Sequence, residues 1–292
     1  MDRPNLAVRE ASSEPTGAQS IGRAAALLRL VASSRTRGAS LSELVDGSRL
    51  QKPTCRRILV ALIEAGLIEQ EAATRRYFLG PESFILGTIA ADRFGIHRLA
   101  QEGVVRLAQA TGDAAFLQVR RDWTVVCLQR EDGDYPIRSH VLAPSDRHLL
   151  GAGVGGIALL AALDDEGVEQ AMAANAAQFP LRYPMLSRAI VDDLVAEARE
   201  RGYAMNRGLL FPGSWGMAMV VRDAQGRADA CLSLAAIESR MQPDREPFLA
   251  QLLRDEVARL EARLREFHIQ DEARPAQPGA SAPLRRRAGE RR

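Results

Sequence analysis

The stretch from Ser40 to Gly66 limits what this chain can fold into more than any other. "SLSE" at residues 40–43 has the S-x-x-E spacing of a capping box, in which Ser40 and Glu43 each satisfy a free backbone N–H at a helix start. The short helix "LSELVDG" stops at Gly47. Pro53 suits the first turn of a second helix, because its missing N–H has no partner there anyway, so that helix starts at Lys52 or Pro53 and ends at Gly66. At 100° per residue, Cys55, Ile58, Leu59 and Leu62 share an apolar face. Arg57, Val60 and Pro53 point the other way, with Thr54 and Arg56 on the flanks.

The flanking segments complete a pattern. Ile21, Ala24, Ala25, Leu28 and Val31 fall on one face of a helix that follows the cap residue Ser20 and ends before "SSRTRGAS". After Gly66, "LIEQ" and "RYFL" alternate as short strands joined by "EAATR", a hairpin with Arg75 and Arg76 near its tip. Helix, short helix, turn, basic helix and hairpin is the order of a winged helix-turn-helix, whose second paired helix enters the major groove of DNA through its N-terminal residues.

Charge agrees with that reading. Ser20 to Gly80 holds ten Arg and Lys against five Asp and Glu, whereas residues 81–270 carry a balance of −5. Lys52 is the only lysine in the chain and sits at the start of the basic helix. There a compact, rotatable ammonium can meet a phosphate or a guanine edge. The residues expected to contact DNA are Ser40, Lys52, Thr54, Arg56 and Arg57, with Arg75 and Arg76 of the wing on the backbone. A plain solvated face is the competing reading of so many arginines, and the cap, Pro53, Gly66 and the hairpin together argue against it.

The rest of the composition excludes more than it specifies. Residues 1–19 lack the apolar core of a signal peptide, and no run reaches the roughly 18 apolar residues of a membrane span, so the chain reads as cytoplasmic with no membrane partner. Cys55, Cys127 and Cys231 are odd in number and far apart, which suggests core fillers and neither a disulfide framework nor a zinc site. The 292 residues suit two ordinary domains. Residues 1–19 form a disordered arm, and residues 269–292, rich in Pro, Ala, Gly and Arg, form a disordered basic tail.

"SIGRAAALLRLVA", "LSELVDGSRLQKPTCRRILVALIEAGLIEQ" and "TRRYFLG" resemble the N-terminal domain of IclR-type bacterial transcriptional regulators, and the similarity continues to about Phe267. The resemblance implies a winged helix-turn-helix over residues 20–80, a linker helix over 81–96 and a GAF-like effector domain over 97–268. It also implies a homodimer or homotetramer, a palindromic double-stranded operator and a small, often carboxylate-bearing effector, with no cofactor. Leu79-Gly80 and Leu86-Gly87 match the start of the family's linker.

In the second half, "AAFLQVRR" and "TVVCLQRE" joined at "DW", then "YPIRSHVLA", read as strands. Helices follow at about 156–163 and 189–201. Two more strands flank "DAQG", and a last helix spans about 244–267. Such a mixture makes the chain α+β overall.

"GAGVGG" carries the sharpest alternative. Gly151, Gly153 and Gly156 satisfy G-x-G-x-x-G, yet "APSDRH" before them is no buried parallel strand, so a dinucleotide site is weakly supported. The same helix start can hold a carboxylate through backbone N–H groups. The resembling loop of the family holds the effector's acid group, which assigns that role to Gly153, Val154, Gly155 and Gly156; close helix packing is the competing reading. "RGYAMNRGLLFPGSWGMAMVV" and "CLSLAAI" resemble family segments that add Asn206, Trp215, Gly216, Met217 and Ser233. Apolar replacements there point to a larger, aromatic acid. Gly155→Leu is therefore expected to block the effector response and spare DNA binding. "PGSWG" misses the nucleophile elbow at Pro212, and His140, His148 and Asp146 have no recognised metal spacing. The chain thus reads as a regulator and not an enzyme, with a glycine-loop enzyme and a ligand-independent DNA-architectural protein as alternatives.

Overall fold

The computed structural model describes residues 19–93, 95–137 and 141–272. Residues 1–18 and 273–292, where the disordered arm and tail are expected, lie outside this range. Gln19 and residues 269–272, assigned to those ends, instead belong to helices.

The first domain contains α1 (Gln19–Ser33), a 3-10 turn (Arg35–Arg37), α2 (Leu41–Ser48), α3 (Lys52–Glu64) and the antiparallel pair β1 (Ile68–Gln70) and β2 (Tyr77–Leu79). Leu27, Leu30, Val31, Leu44, Cys55, Leu59, Leu62, Ile68 and Tyr77 form its core. The face of α1 differs from expectation: Ala26, Leu27, Leu30 and Val31 are buried, whereas Ile21 is 72% exposed. The run "AAALLRLVA" is apolar nearly all round, so its periodicity does not set a phase, and contact with α2 and α3 does.

Both halves of the capping box form. Glu43 N–H donates to Ser40 Oγ at 3.3 Å, and Ser40 N–H donates to Glu43 Oε2 at 2.8 Å. The Ser40 N–H first, and then Arg37, lower the Glu43 carboxyl from 4.5 to about 2. A carboxyl with a lowered pKa stabilises the folded domain above about pH 4.5 and loses that contribution as pH falls toward 2. Acid titration followed by circular dichroism should therefore show the stability gap between wild type and Glu43→Gln shrinking across that interval. A gap independent of pH would contradict the capping role.

α4 (Pro81–Arg93) leads to α5 (Ile96–Thr111), which Gly112 ends in a left-handed conformation. The second domain continues with β3 (Ala114–Arg121), β4 (Thr124–Glu131), β5 (Arg147–Leu149), α6 (Gly153–Ala161), α7 (Asp165–Asn175), α8 (Phe179–Arg182) and α9 (Arg188–Arg201). It closes with β6 (Ala204–Arg207), β7 (Ser214–Val221), β8 (Ala230–Ile237) and α10 (Glu246–Glu272). Six strands form one antiparallel sheet in the order β5-β4-β3-β8-β7-β6. α5 and α10 cover one face, and α6, α7 and α9 cover the other.

Several boundaries move. "YPIRSHVLA" forms no strand in its described part, and the edge strand is β5. α6 begins at Gly153, three residues early, and α10 continues to Glu272. β6, α7 and α8 were not anticipated: β6 is four residues without alternation, and α7 is signalled mainly by its Asp164 cap. The three cysteines are buried and free; burial raises all three thiol pKa values, Cys127 to about 12. That disfavours a reactive thiolate.

Candidate functional site

α3 presents its N-terminal half to solvent. Lys52 opens the helix, Pro53 sits in its first turn, and Lys52, Arg56 and Arg57 are exposed, with Thr54 half-buried. Cys55, Leu59 and Leu62 anchor the opposite face, so Arg57 points directly away from the core. Arg49, in the left-handed residue between α2 and α3, adds a further exposed cation that the sequence reading missed.

Two of the expected DNA contacts already have partners within the domain. The Ser40 hydroxyl is the α2 cap. Arg76 turns back to donate from Nη1 to Gly38 O at 2.8 Å and to Glu43 Oε2 at 3.3 Å, so it braces the wing against the helix pair. Arg75, exposed with φ 58°, remains at the hairpin tip.

In the second domain a cavity of about 530 Å³, open mouth included, lies between the α6 face of the sheet and the segments that precede β5 and β7. Of the residues assigned to the effector, Gly153, Val154, Asn206, Trp215, Gly216 and Ser233 line it. Phe211, expected beside the effector from the same segment as Trp215, lines it too, whereas Phe116, Gln118, Val141, Leu142, His148, Leu210 and Ser214 line it and were not anticipated. Their places depend on strand register: Phe116 and Gln118 on β3 face the same side as Ser233 and Ala235 on β8.

Three assigned residues fall elsewhere. Met217 follows the cavity-lining Gly216 on β7 and, because successive side chains alternate, enters the core under α5 and α10. At Gly155 a Cβ would stand 2.5 Å from Gln118 Oε1, and at Gly156 it would approach Gly151 N and Leu149 O at 3.2 and 3.3 Å. Close packing of α6 therefore explains both glycines. The sheet is antiparallel and β5 is a three-residue edge strand, so Gly151, Gly153 and Gly156 do not sit in the βαβ setting of a dinucleotide loop. Likewise "PGSWG" leads into β7, not through a strand-to-helix turn.

The cavity wall has no Asp, Glu, Lys or Arg among its described residues. Its electropositive element is the start of α6, where Ala152 caps without a side-chain bond and the first two helical residues, Gly153 and Val154, line the cavity. Gln118 Nε2 donates to Ser233 Oγ at 2.6 Å in a buried pair, which leaves the Ser233 proton available as a donor. Asn206 Oδ1 accepts from Leu209 N–H at 3.0 Å and shapes the approach to Leu210.

His148 is the most informative unanticipated residue. Burial first, and then nearby Arg182, push its pKa down to about 4, so the ring is neutral at physiological pH. Tyr183 Oη accepts from Leu149 N–H at 3.4 Å and lies 3.2 Å from His148 Nδ1. A Tyr183 hydroxyl that donates to Nδ1 places the imidazole proton on Nε2. The cavity thus offers donors without a formal charge. His140, the other half of the weighed metal pair, lies outside the described residues.

Comparison with known proteins agrees with both halves. The family model "IclR helix-turn-helix domain" matches residues 20–72, and "Bacterial transcriptional regulator IclR C-terminal" matches residues 88–262. The HTH-type transcriptional regulator BhcR of Paracoccus denitrificans is 30% identical over 233 residues, 78% of this chain and 81% of that protein. The crystal structure of an IclR transcriptional regulator from Alicyclobacillus acidocaldarius superposes with a TM-score of 0.72 at 25% identity, covering 84% of this chain and 98% of that one. An IclR homolog from Microbacterium hydrocarbonoxydans, crystallised with 4-hydroxybenzoate, gives 0.70 at 21% identity, covering 85% and 99%.

Proposed function

The chain belongs to the IclR family of bacterial transcriptional regulators, and from that premise we propose that a small aromatic monocarboxylic acid enters the second-domain cavity and changes operator affinity. The observation that carries this reading is the cavity itself. Phe116 and Phe211 supply aromatic walls, and the start of α6 supplies the electropositive end in a lining free of formal charge. Such a wall suits one carboxylate on an apolar body. A second carboxylate would be desolvated with no cation beside it. The solved homolog that holds 4-hydroxybenzoate is consistent with this class.

On the DNA side, Lys52, Thr54, Arg56 and Arg57 take the major groove, with Arg75 on the backbone. Arg76 and Ser40 support that surface from behind. The protein acts as a homo-oligomer on a palindromic operator. α4 supports this, since Phe84, Ile85, Leu86 and Ile89 stand 76, 48, 50 and 65% exposed on one linker helix, an apolar surface that a second copy would cover. Among the described residues, no helix is long and apolar enough to cross a membrane.

The test has two stages. Purified protein should enrich a palindromic site from bacterial genomic fragments at physiological salt. The Kd for that site is then measured with and without 4-hydroxybenzoate, benzoate and a dicarboxylate of similar length. The aromatic monoacids should shift the Kd by roughly 5–150-fold, the usual range of allosteric coupling. An equal or larger response to the dicarboxylate would reject the proposed ligand class, and failure to enrich any site would reject the operator reading.

A further inference from the structure

The segment that runs between Leu142 and His148 at the cavity meets the DNA-binding domain at an ion pair. Arg35, in the 3-10 turn after α1, donates from Nη2 to Asp146 Oδ1 at 2.8 Å, across 111 residues of sequence. We propose that this pair is a latch that reports the state of the cavity to the DNA-binding domain. The proposal rests on the effector reading above and specifies how that site is read out.

Asp146 is placed to do this. Val141, Leu142 and His148 line the cavity on either side of it in the same short segment. The turn that carries it is braced: Ala143 N–H donates to Asp146 Oδ2 at 2.9 Å, and Asp146 N–H returns to Ala143 O at 3.0 Å. The segment is also tied to β4, through Cys127 N–H to Asp146 O at 3.0 Å and Ser145 N–H to Cys127 O at 2.8 Å. Movement of Val141 and Leu142 is therefore passed to the carboxylate, since a braced turn has little slack to absorb it.

The other side of the contact depends on that carboxylate. Arg35 Nε is buried without a partner while Nη2 bonds to Asp146, so Asp146 helps to offset the partial burial of this guanidinium. Arg29 of α1 stands close enough to Arg147 to depress its pKa, behind the larger effect of burial. Like charge thus opposes the contact that Arg35 and Asp146 hold closed, and a small displacement can tip it. Lys52, Arg56 and Arg57 stay exposed while the pair is formed. The latch accordingly sets the orientation of the DNA-binding domain and does not mask its recognition helix.

A thermodynamic cycle on the full-length chain tests this without a known effector. Ala235→Leu adds bulk to the buried cluster of Ala114, Phe116, Cys127 and Ala235, against which Val141 and Leu142 pack. It serves as the probe that moves the wall. It should change the Kd for the enriched operator roughly three- to tenfold, at the low end of allosteric coupling because the pair is partly exposed. In an Arg35→Gln background the same substitution should change it by about twofold or less, while Arg35→Lys keeps the larger response. Equal responses in all backgrounds, or none in the wild type, would overturn the latch. Hydrogen exchange supplies an arm independent of DNA and of the probe: Arg35→Gln should speed exchange of the Ala143 and Cys127 amides, and unchanged rates would overturn the proposal. Failure to enrich any operator rejects the regulator reading while the exchange arm still judges the latch.

Discussion

Arg57→Ala is expected to lower affinity for the operator by roughly 1–3 kcal/mol while leaving affinity for random DNA of equal length nearly unchanged. Arg57 points directly away from the buried Cys55, Leu59 and Leu62, in the half of α3 that a winged helix inserts into the major groove. A guanidinium there can bond a guanine edge through two N–H groups, and alanine removes both. Folding should be unaffected because Arg57 is exposed and outside the domain core. Arg75→Ala at the hairpin tip should instead weaken all sequences alike and reduce the salt slope by about one phosphate contact. Titrations of both variants on operator and random duplexes at two salt concentrations separate these outcomes. Equal loss of both duplexes for Arg57→Ala would assign it to phosphate.

Gly155→Leu is expected to destabilise the second domain by about 2–5 kcal/mol, combining overpacking with the loss of a buried hydrogen bond. From the sequence this substitution looks like a clean block of the effector site. In the structure any side chain at Gly155 meets the Gln118 amide, which is buried and bonded to Ser233, so the amide must leave its partner or α6 must lift from the sheet. Both tryptophans, Trp123 and Trp215, lie in the second domain, so fluorescence during urea unfolding reports this domain alone. The midpoint should fall with little change in slope. An unchanged midpoint would show that the contact is soft and return Gly155 to the cavity wall.

The first domain was legible because its signals are local. A cap pairs residues three apart, proline and glycine punctuate helices wherever they occur, and a hairpin joins neighbouring strands. The phase of α1 was misjudged, since its apolar residues nearly encircle the helix, and so was its start, since Ser20 lies inside it and does not cap it; Ser40 and Arg76, read as DNA contacts, are engaged within the domain. The cavity was half legible. Gly153, Val154, Asn206, Trp215, Gly216 and Ser233 came from family-like segments, and those segments do line it. Met217 failed because a one-residue step along β7 changes faces. Phe116, Gln118 and Leu142 carry no local mark of their role.

What the sequence determined by itself was therefore the architecture: a winged helix-turn-helix with a basic recognition helix, a linker helix and an α+β domain. The first and the last rest on periodicity and punctuation within about twenty residues, and the linker helix on the family resemblance. Tertiary structure alone decided that Arg76 braces the wing, that His148 faces the cavity as a neutral ring, and that Arg35 reaches Asp146. These facts depend on which residues of distant segments come within a few ångströms. Strand register and domain contact set that, and neither is encoded in the spacing of residues along the chain.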